Sequence, residues 1–263
     1  MRYRVHYVCL SHIGKVRSAN QDNFICHGRF QDVETECLTL PLSGHVTSEE
    51  MAVFGVFDGM GGEERGETAA WIAANQAAEI KIGSDPAADL ARFCREANSA
   101  ICAYADAHQV TSMGTTAALL AFTPGEVTLC NIGDSKIFRF CDGILEQIST
   151  DHVAIAAFGT KPPLSQNLGI PPSELIIDPY LAHGPCNYGD IYLICSDGLT
   201  DMLSIGEITE ILSSGSIVQA ASQLMEQALD HGGKDNTTII LCEIQRRSGW
   251  FDKWIRPITG KEV

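Results

Sequence analysis

Short strand-like runs stand near the start of the chain, at 3–10, 22–27 and 51–57, and the first of them alternates apolar and polar residues. Val, Phe, Tyr and Ile fill the apolar places and turn residues separate the runs, which predicts strands. Between them Cys37-Leu38-Thr39-Leu40 reads as a further short strand and Ser43 to Glu50 as a polar loop. The period then lengthens. Residues 63–81, rich in Ala and Glu, predict one helix, and 86–108 predict a second behind Asp85-Pro86, an N-cap followed by proline at the first helical position. Leu90, Phe93, Ala97, Ile101 and Tyr104 recur at three- and four-residue spacing and form its core-facing stripe.

Strands return at 115–122, 126–132, 136–140 and 144–148, joined by turns at Pro124-Gly125 and Asp142-Gly143. Links this short require antiparallel neighbours. Residues 151–190 carry six prolines and read as irregular. A strand at 190–195, helices near 206–214 and 216–230, and a last strand at 237–244 complete the pattern, with Ser216 as a cap and Gly232 as a stop. Runs of strands alternate with pairs of helices. This predicts an α+β class, antiparallel sheets covered by helices, rather than a doubly wound parallel sheet.

Four aspartates stand where an apolar run breaks into glycine or a small polar residue: Asp58, Asp134, Asp197 and Asp235. Each therefore sits at a strand end or in the turn beside it. Converging carboxylates repel unless a cation neutralises them, and oxygen ligands without His or Cys suit Mg²⁺ or Mn²⁺.

Composition narrows the picture. The chain has 263 residues, 45% hydrophobic and 19% charged, as in an ordinary globular protein with a substantial core. A net charge of −15 argues against nucleic acid and against an anionic membrane surface. None of the ten cysteines forms a C-x-x-C pair, and several lie inside apolar strands. No signal peptide and no stretch of membrane-spanning length is expected, so free thiols in a reducing cytoplasm are the reading. The tail holds Trp250, Phe251 and Trp254 among basic residues, expected to dock on the domain surface.

Six segments in order resemble the metal-dependent protein serine/threonine phosphatases, the PPM family or type 2C, in its bacterial branch. They are Gly14 to Asp22, Phe57-Asp58-Gly59-Met60-Gly61-Gly62, Met113-Gly114-Thr115-Thr116, Asn131-Ile132-Gly133-Asp134-Ser135, Ser196 to Asp201, and Lys234-Asp235-Asn236-Thr237-Thr238. Each alone is a common turn sequence; the ordered set spans most of the chain. The resemblance implies a four-layer αββα sandwich, two antiparallel sheets flanked by helix pairs, over residues 1–245, with 246–263 as a C-terminal tail. It implies hydrolysis of phosphoserine and phosphothreonine by a hydroxide bridging two Mn²⁺ or Mg²⁺ ions about 3.5–4 Å apart. Asp58 would bridge the ions, the Gly59 carbonyl would bind the second, and Asp197 and Asp235 would complete the first. Asp22 would hold waters on the metals or reach a metal directly. Asp134 matches the residue that holds a third ion in bacterial members. Asp201 is either a further candidate for that third site or a solvated carboxylate at a helix start. Arg17 would clamp phosphate with its planar fork. Phosphorylated proteins, a Ser/Thr kinase or its substrates, would be the partners of a monomeric enzyme. A non-catalytic phosphoprotein adaptor of the same fold is the alternative, and a phosphatase acting on a small regulator a third reading.

Two departures stand out. Met60 occupies the place where many eukaryotic relatives carry histidine, and Gln21 replaces a glutamate found in some. His12 and His152 are possible proton donors, with an ordinary structural role the better expectation for each. The stretch Val153 to Leu164 is shorter than the family's flap, which predicts a proline-stiffened flap and an open cleft.

Overall fold

Strand alternation decides how the layers stack. The computed structural model describes residues 2–38, 40–60, 65–155 and 162–247. In β1 (Tyr3–His12) Tyr3, Val5, Tyr7 and Cys9 point into one core while Val8 and Leu10 point into another. The same division runs through β12 (Thr237–Arg246), where Ile240, Cys242 and Ile244 join the first core and Ile239 and Leu241 the second. Apolar residues on both faces mean a sheet covered on both sides.

Two antiparallel sheets result. β1 and β12 sit with β3 (Leu42–Thr47), β11 (Ile191–Cys195), β8 (Lys136–Cys141) and β9 (Ile144–Gln147) in the order β3-β1-β12-β11-β8-β9. The second sheet runs β10 (Tyr180–Pro185), β7 (Glu126–Ile132), β6 (Ala117–Thr123), β4 (Val53–Met60) and β2 (Asp22–Cys26), with the short β5 (Gly114–Thr115) on the end of β4. The sheets face each other across Phe54, Phe122 and Tyr192, whose rings meet edge-on at 5.8 and 5.6 Å. Each such buried ring is worth about 1.5–3 kcal/mol of transfer free energy.

Helices α1 (Gly66–Ala77) and α2 (Pro86–His108) cover the outer face of the second sheet. Short α3 (Asp197–Thr200), α4 (Ile205–Leu212) and α5 (Ile217–Asp230) cover the first. The predicted stripe of α2 is the buried one, with Leu90, Phe93, Ala97 and Ile101 in the core and Tyr104 packed beside it. Asp85 accepts from the Ala88 N–H at 3.1 Å, and Ser216 and Gln219 form a reciprocal cap at the start of α5. The architecture is the expected αββα sandwich.

Two strands lie where the sequence pattern predicts none. β3 occupies most of the expected polar loop, while Cys37 makes only a single bridge to His12. β10 falls within the proline-rich stretch expected to be irregular, with Pro185 at its end. Both are edge strands with one neighbour each, so most of their side chains stay partly exposed and the apolar alternation is lost. The aromatic tail, Gly61-Gly62 of the second motif, and flap residues 156–161 lie outside the described residues.

Candidate active site

At one end of the sandwich the space between the sheets changes from apolar to acidic. Asp58 continues the inward-facing series Phe54, Val56 along β4, and Asp22 precedes Phe24 and Cys26 on β2. The two aspartates are direct cross-strand partners. From the opposite sheet come Asp197, the first residue of α3, and Asp235, in the turn that leads into β12. Asp58, Asp134, Asp197 and Asp235 line one cavity of about 300 Å³, together with the backbone of Gly59 and the side chain of Arg17. Thus Arg17, Asp58, Gly59, Asp134, Asp197 and Asp235 are gathered from distant parts of the chain. Asp22 lies beneath the cavity, 3% exposed. Asp201 caps α3 in helical geometry, its N–H donating to the Asp197 carbonyl at 2.8 Å, yet it is exposed and does not line the cavity.

Glycines let the loops meet. A Cβ on Gly59 would fall 2.2 Å from the Gly66 carbonyl and 2.4 Å from that of Gln21. Gly14 has φ +87°, and a Cβ there would fall 2.4 Å from the Asp235 carbonyl. The Arg17 loop is thereby pressed onto the turn before β12, where the Lys15 N–H donates to the Gly233 carbonyl at 2.7 Å. Asn236 fastens the same loop. Its amide donates to the carbonyls of Ile13 (2.8 Å) and Ala19 (2.9 Å), and its oxygen accepts from the Gln21 N–H at 2.9 Å. Arg17 Nη2 then reaches Asp235 Oδ2 at 2.6 Å.

A second set of bonds holds Asp58 and Asp134. The Thr116 hydroxyl accepts from the Asp58 N–H at 2.9 Å and shares a 2.6 Å bond with Ser135. Thr115 Oγ1 and the Thr116 N–H both donate to the Asp58 carbonyl. Around Asp134, Lys136 pairs with Asp151 and donates to the Asp134 carbonyl at 3.1 Å. His152 brackets Gly133: its N–H donates to the Gly133 carbonyl and its Nδ1 accepts from the Gly133 N–H at 3.2 Å. The base of the flap continues from there, with Ser165 bonded to the His152 carbonyl and Val153 bridged to Leu164. Pro162, Pro163 and Leu164 form part of the cavity wall. Asn236, Thr116 and the Lys136–Asp151 pair hold this site without a sequence expectation of their own. Asn236 and Thr116 stand inside the quoted motifs, beside residues already singled out.

Electrostatics mark the site as a cation site. Burial pushes the Asp22 carboxyl from 3.8 up to about 7, against the hydrogen bonds from Ser196 and Thr238 that lower it; the charges of Asp197 and Asp235 add to the rise. Burial, then the charges of Asp197, Asp22, Asp134 and Asp235, push Asp58 well above the usual carboxylate range. Ser196 Oγ donates to Asp22 Oδ2 at 2.7 Å, while Asp22 Oδ1 is buried with no partner among the described residues. The carboxylates share one space without closing on a single point among the described residues. An orphaned buried oxygen, mutually repelling carboxylates and an all-oxygen donor set fit hard divalent ions such as Mn²⁺ or Mg²⁺. Both candidate histidines are committed elsewhere. Burial lowers the pKa of His12 and of His152, and each uses Nδ1 to accept a backbone N–H, from Gly14 and Gly133 respectively.

Comparison with known proteins agrees with this geometry. The family model for protein phosphatase 2C matches residues 42–231. The serine/threonine protein phosphatase PstP of Mycobacterium tuberculosis is 32% identical over 201 residues, a match covering 71% of this chain and 39% of that protein. The chain thus spans about two fifths of that relative's length. The serine/threonine phosphatase stp of Listeria monocytogenes is 25% identical over 250 residues, covering 88% of this chain and 92% of stp. A crystal structure of the PstP catalytic domain in complex with two manganese ions superposes with a TM-score of 0.75 at 28% identity, covering 93% of this chain and all of that one. With the family's segments folded around one acidic cavity and its model matched over most of the chain, the protein belongs to the protein phosphatase 2C family.

Proposed function

We propose that this chain is a serine/threonine protein phosphatase that uses Mn²⁺ or Mg²⁺ to hydrolyse phosphoserine and phosphothreonine in proteins. The observation that carries the reading is the convergence of four carboxylates with Arg17 on one cavity. Asp58, the Gly59 carbonyl, Asp197 and Asp235 would hold two ions, with Asp22 behind them and Asp134 toward a third. Bound divalent ions supply Lewis acidity and a nucleophile at neutral pH. The protein's own part is placement and charge. Arg17 stands at the mouth, about half exposed, where its fork can receive two phosphate oxygens and offset charge that grows during transfer. Thr115 and Thr116 fix the backbone on either side of Asp58, so the carboxylate does not swing as charge changes. Met60 lines the cavity and carries no proton to give, and neither His12 nor His152 lines it, so a histidine acid for the leaving alkoxide is not part of this reading.

The names of the PstP and stp relatives support a phosphoprotein substrate, with a Ser/Thr kinase or its targets as the cellular partner. Ten free cysteines support a reducing, cytoplasmic setting. An adaptor that only binds phosphoproteins would have no use for carboxylates raised this far by their own burial.

The test is release of phosphate from a phosphothreonine peptide, with Mn²⁺ and with chelator, in wild type and Asp197→Ala. Turnover that needs Mn²⁺ and collapses in the variant supports the reading. Turnover in chelator, or none with metal bound, overturns it.

A further inference from the structure

A second cavity, about 260 Å³, adjoins the first and shares Met60 with it. It lies between the end of α2, the segment leading into β5, and the chain that follows the flap. Met60, Val110 and Ile170 line it with apolar side chains, and the exposed carboxylates of Asp106 and Glu174 line it too, among other polar groups. No lysine, arginine or histidine lines it among the described residues. Both carboxylates act on the same interior: burial raises the Cys102 thiol pKa first, and the charges of Asp106 and Glu174 raise it further.

The wall is built rather than incidental. Asn98 of α2, 4% exposed, accepts from the N–H groups of Gly169 (2.7 Å) and Ile170 (3.1 Å) and donates to the Ile170 carbonyl (2.9 Å). Leu168 pairs its backbone with Thr115 in both directions. Gly114 and Gly169 allow the close approach: a Cβ on Gly114 would fall 2.6 Å from the Leu168 carbonyl, and one on Gly169 2.4 Å from the Met113 carbonyl. The strand that anchors Asp58 therefore also anchors this cavity.

We propose that this cavity is a substrate subsite that takes a lysine or arginine of the phosphoprotein near the phosphorylated residue. The aliphatic stem would lie on Met60, Val110 and Ile170, and the cationic head would meet Asp106 and Glu174. A long side chain with an apolar stem and a positive end matches a cavity lined by three apolar side chains and two carboxylates. Met60 belongs to both cavities, so an extended peptide leaving the phosphate position reaches the second within a few residues, at about 3.3 Å each. The inference rests on the phosphatase reading, since it assigns the subsite to that enzyme's substrate.

The experiment uses phosphothreonine peptides of otherwise neutral sequence, with one arginine moved from three places before the phosphothreonine to three places after it. Wild type should favour at least one arginine position over the alanine control by about fivefold in kcat/KM, the scale of one exposed ion pair. Asp106→Asn/Glu174→Gln should abolish that preference while leaving the arginine-free peptide and a small aryl phosphate at wild-type rates. The preference should also shrink as salt is raised. No arginine preference in wild type, or an equal loss on all substrates in the variant, overturns the subsite. Binding of non-hydrolysable phosphonate versions, read by fluorescence anisotropy, separates the two readings. If wild type turns over nothing, the phosphatase reading falls, and the subsite still stands or falls on whether arginine tightens binding.

Discussion

Asp22 is the residue whose situation is most at odds with water. It is buried, carries an oxygen with no partner among the described residues, and shares its space with Asp58 across the strand pair and with Asp197 and Asp235 from the other sheet. Its pKa is raised to about 7, so the folded protein holds a proton there that the unfolded chain releases near 3.8. A raised carboxyl stabilises the fold fully below its unfolded value, and that contribution is lost as pH rises toward the folded value. Metal-free protein in chelator should therefore melt at a lower temperature at pH 8 than at pH 5, and Asp22→Asn should flatten the slope. Calorimetry across that range checks it; a melting temperature that climbs with pH in the wild type would contradict it. At this scale the sequence was informative where chemistry forces a choice. An aspartate at the end of an apolar run has few purposes, and Asp58, Asp134, Asp197 and Asp235 all reach the cavity. Asn236 and Thr116 were less visible because amides and hydroxyls are ordinary in turns and strands; only their neighbours mark them. Asp201 does not line the cavity although it stands one helical turn beyond Asp197, so spacing alone was no guide to it.

Elements were legible in proportion to how much of them is buried. α2 and α5 follow their apolar stripes and caps, β6 is a nearly continuous apolar run, and β7 and β12 are buried along most of their length. β3 and β10 were hidden because an edge strand needs no alternation to be held by one neighbour. The element of most consequence for the site is the β7–β8 turn bearing Asp134. Thr116 ties it to β4 through one hydroxyl that serves both the Asp58 N–H and Ser135. Thr116→Val keeps the shape and removes that link. It should destabilise the protein by about 1–3 kcal/mol, the cost of leaving buried polar groups without partners. Metal-dependent turnover should fall more than folding alone explains. Chemical denaturation beside Mn²⁺ titration of activity checks both; unchanged stability would remove Thr116 from the anchoring role.

For the whole molecule, what matters is that the acidic cavity straddles the two sheets. Asp58 comes from one, Asp197 and Asp235 from the other, and the inter-sheet core below is apolar. A cation held across this gap binds only the folded, closed sandwich, so saturation stabilises by mass action, about 2.7 kcal/mol at a hundred times the dissociation constant. For a chain of this size that corresponds to a rise of roughly 5–10 °C in melting temperature. Mn²⁺ should produce such a rise in wild type and much less in Asp197→Ala; equal shifts would place the ion elsewhere. Antiparallel sheets covered by helices were legible because short links force antiparallel strands and paired helices need a sheet to cover; the four-layer order came from the family resemblance. Which end of the sandwich would carry the chemistry was not, because it depends on which loops pack together.

The contact between Arg17 and Asp235 makes two binding events interdependent. One carboxylate serves as counter-ion to the guanidinium and as a candidate cation ligand, so an ion held by Asp235 would leave Arg17 freer to meet an incoming anion. Linkage then requires the reverse: an oxyanion that draws Arg17 away leaves Asp235 freer for the ion. Inorganic phosphate and Mn²⁺ should tighten each other's binding by the same factor in paired calorimetric titrations, and Arg17→Ala should uncouple them. An enzyme wired in this way would sense divalent-ion supply through its grip on product as well as through its rate.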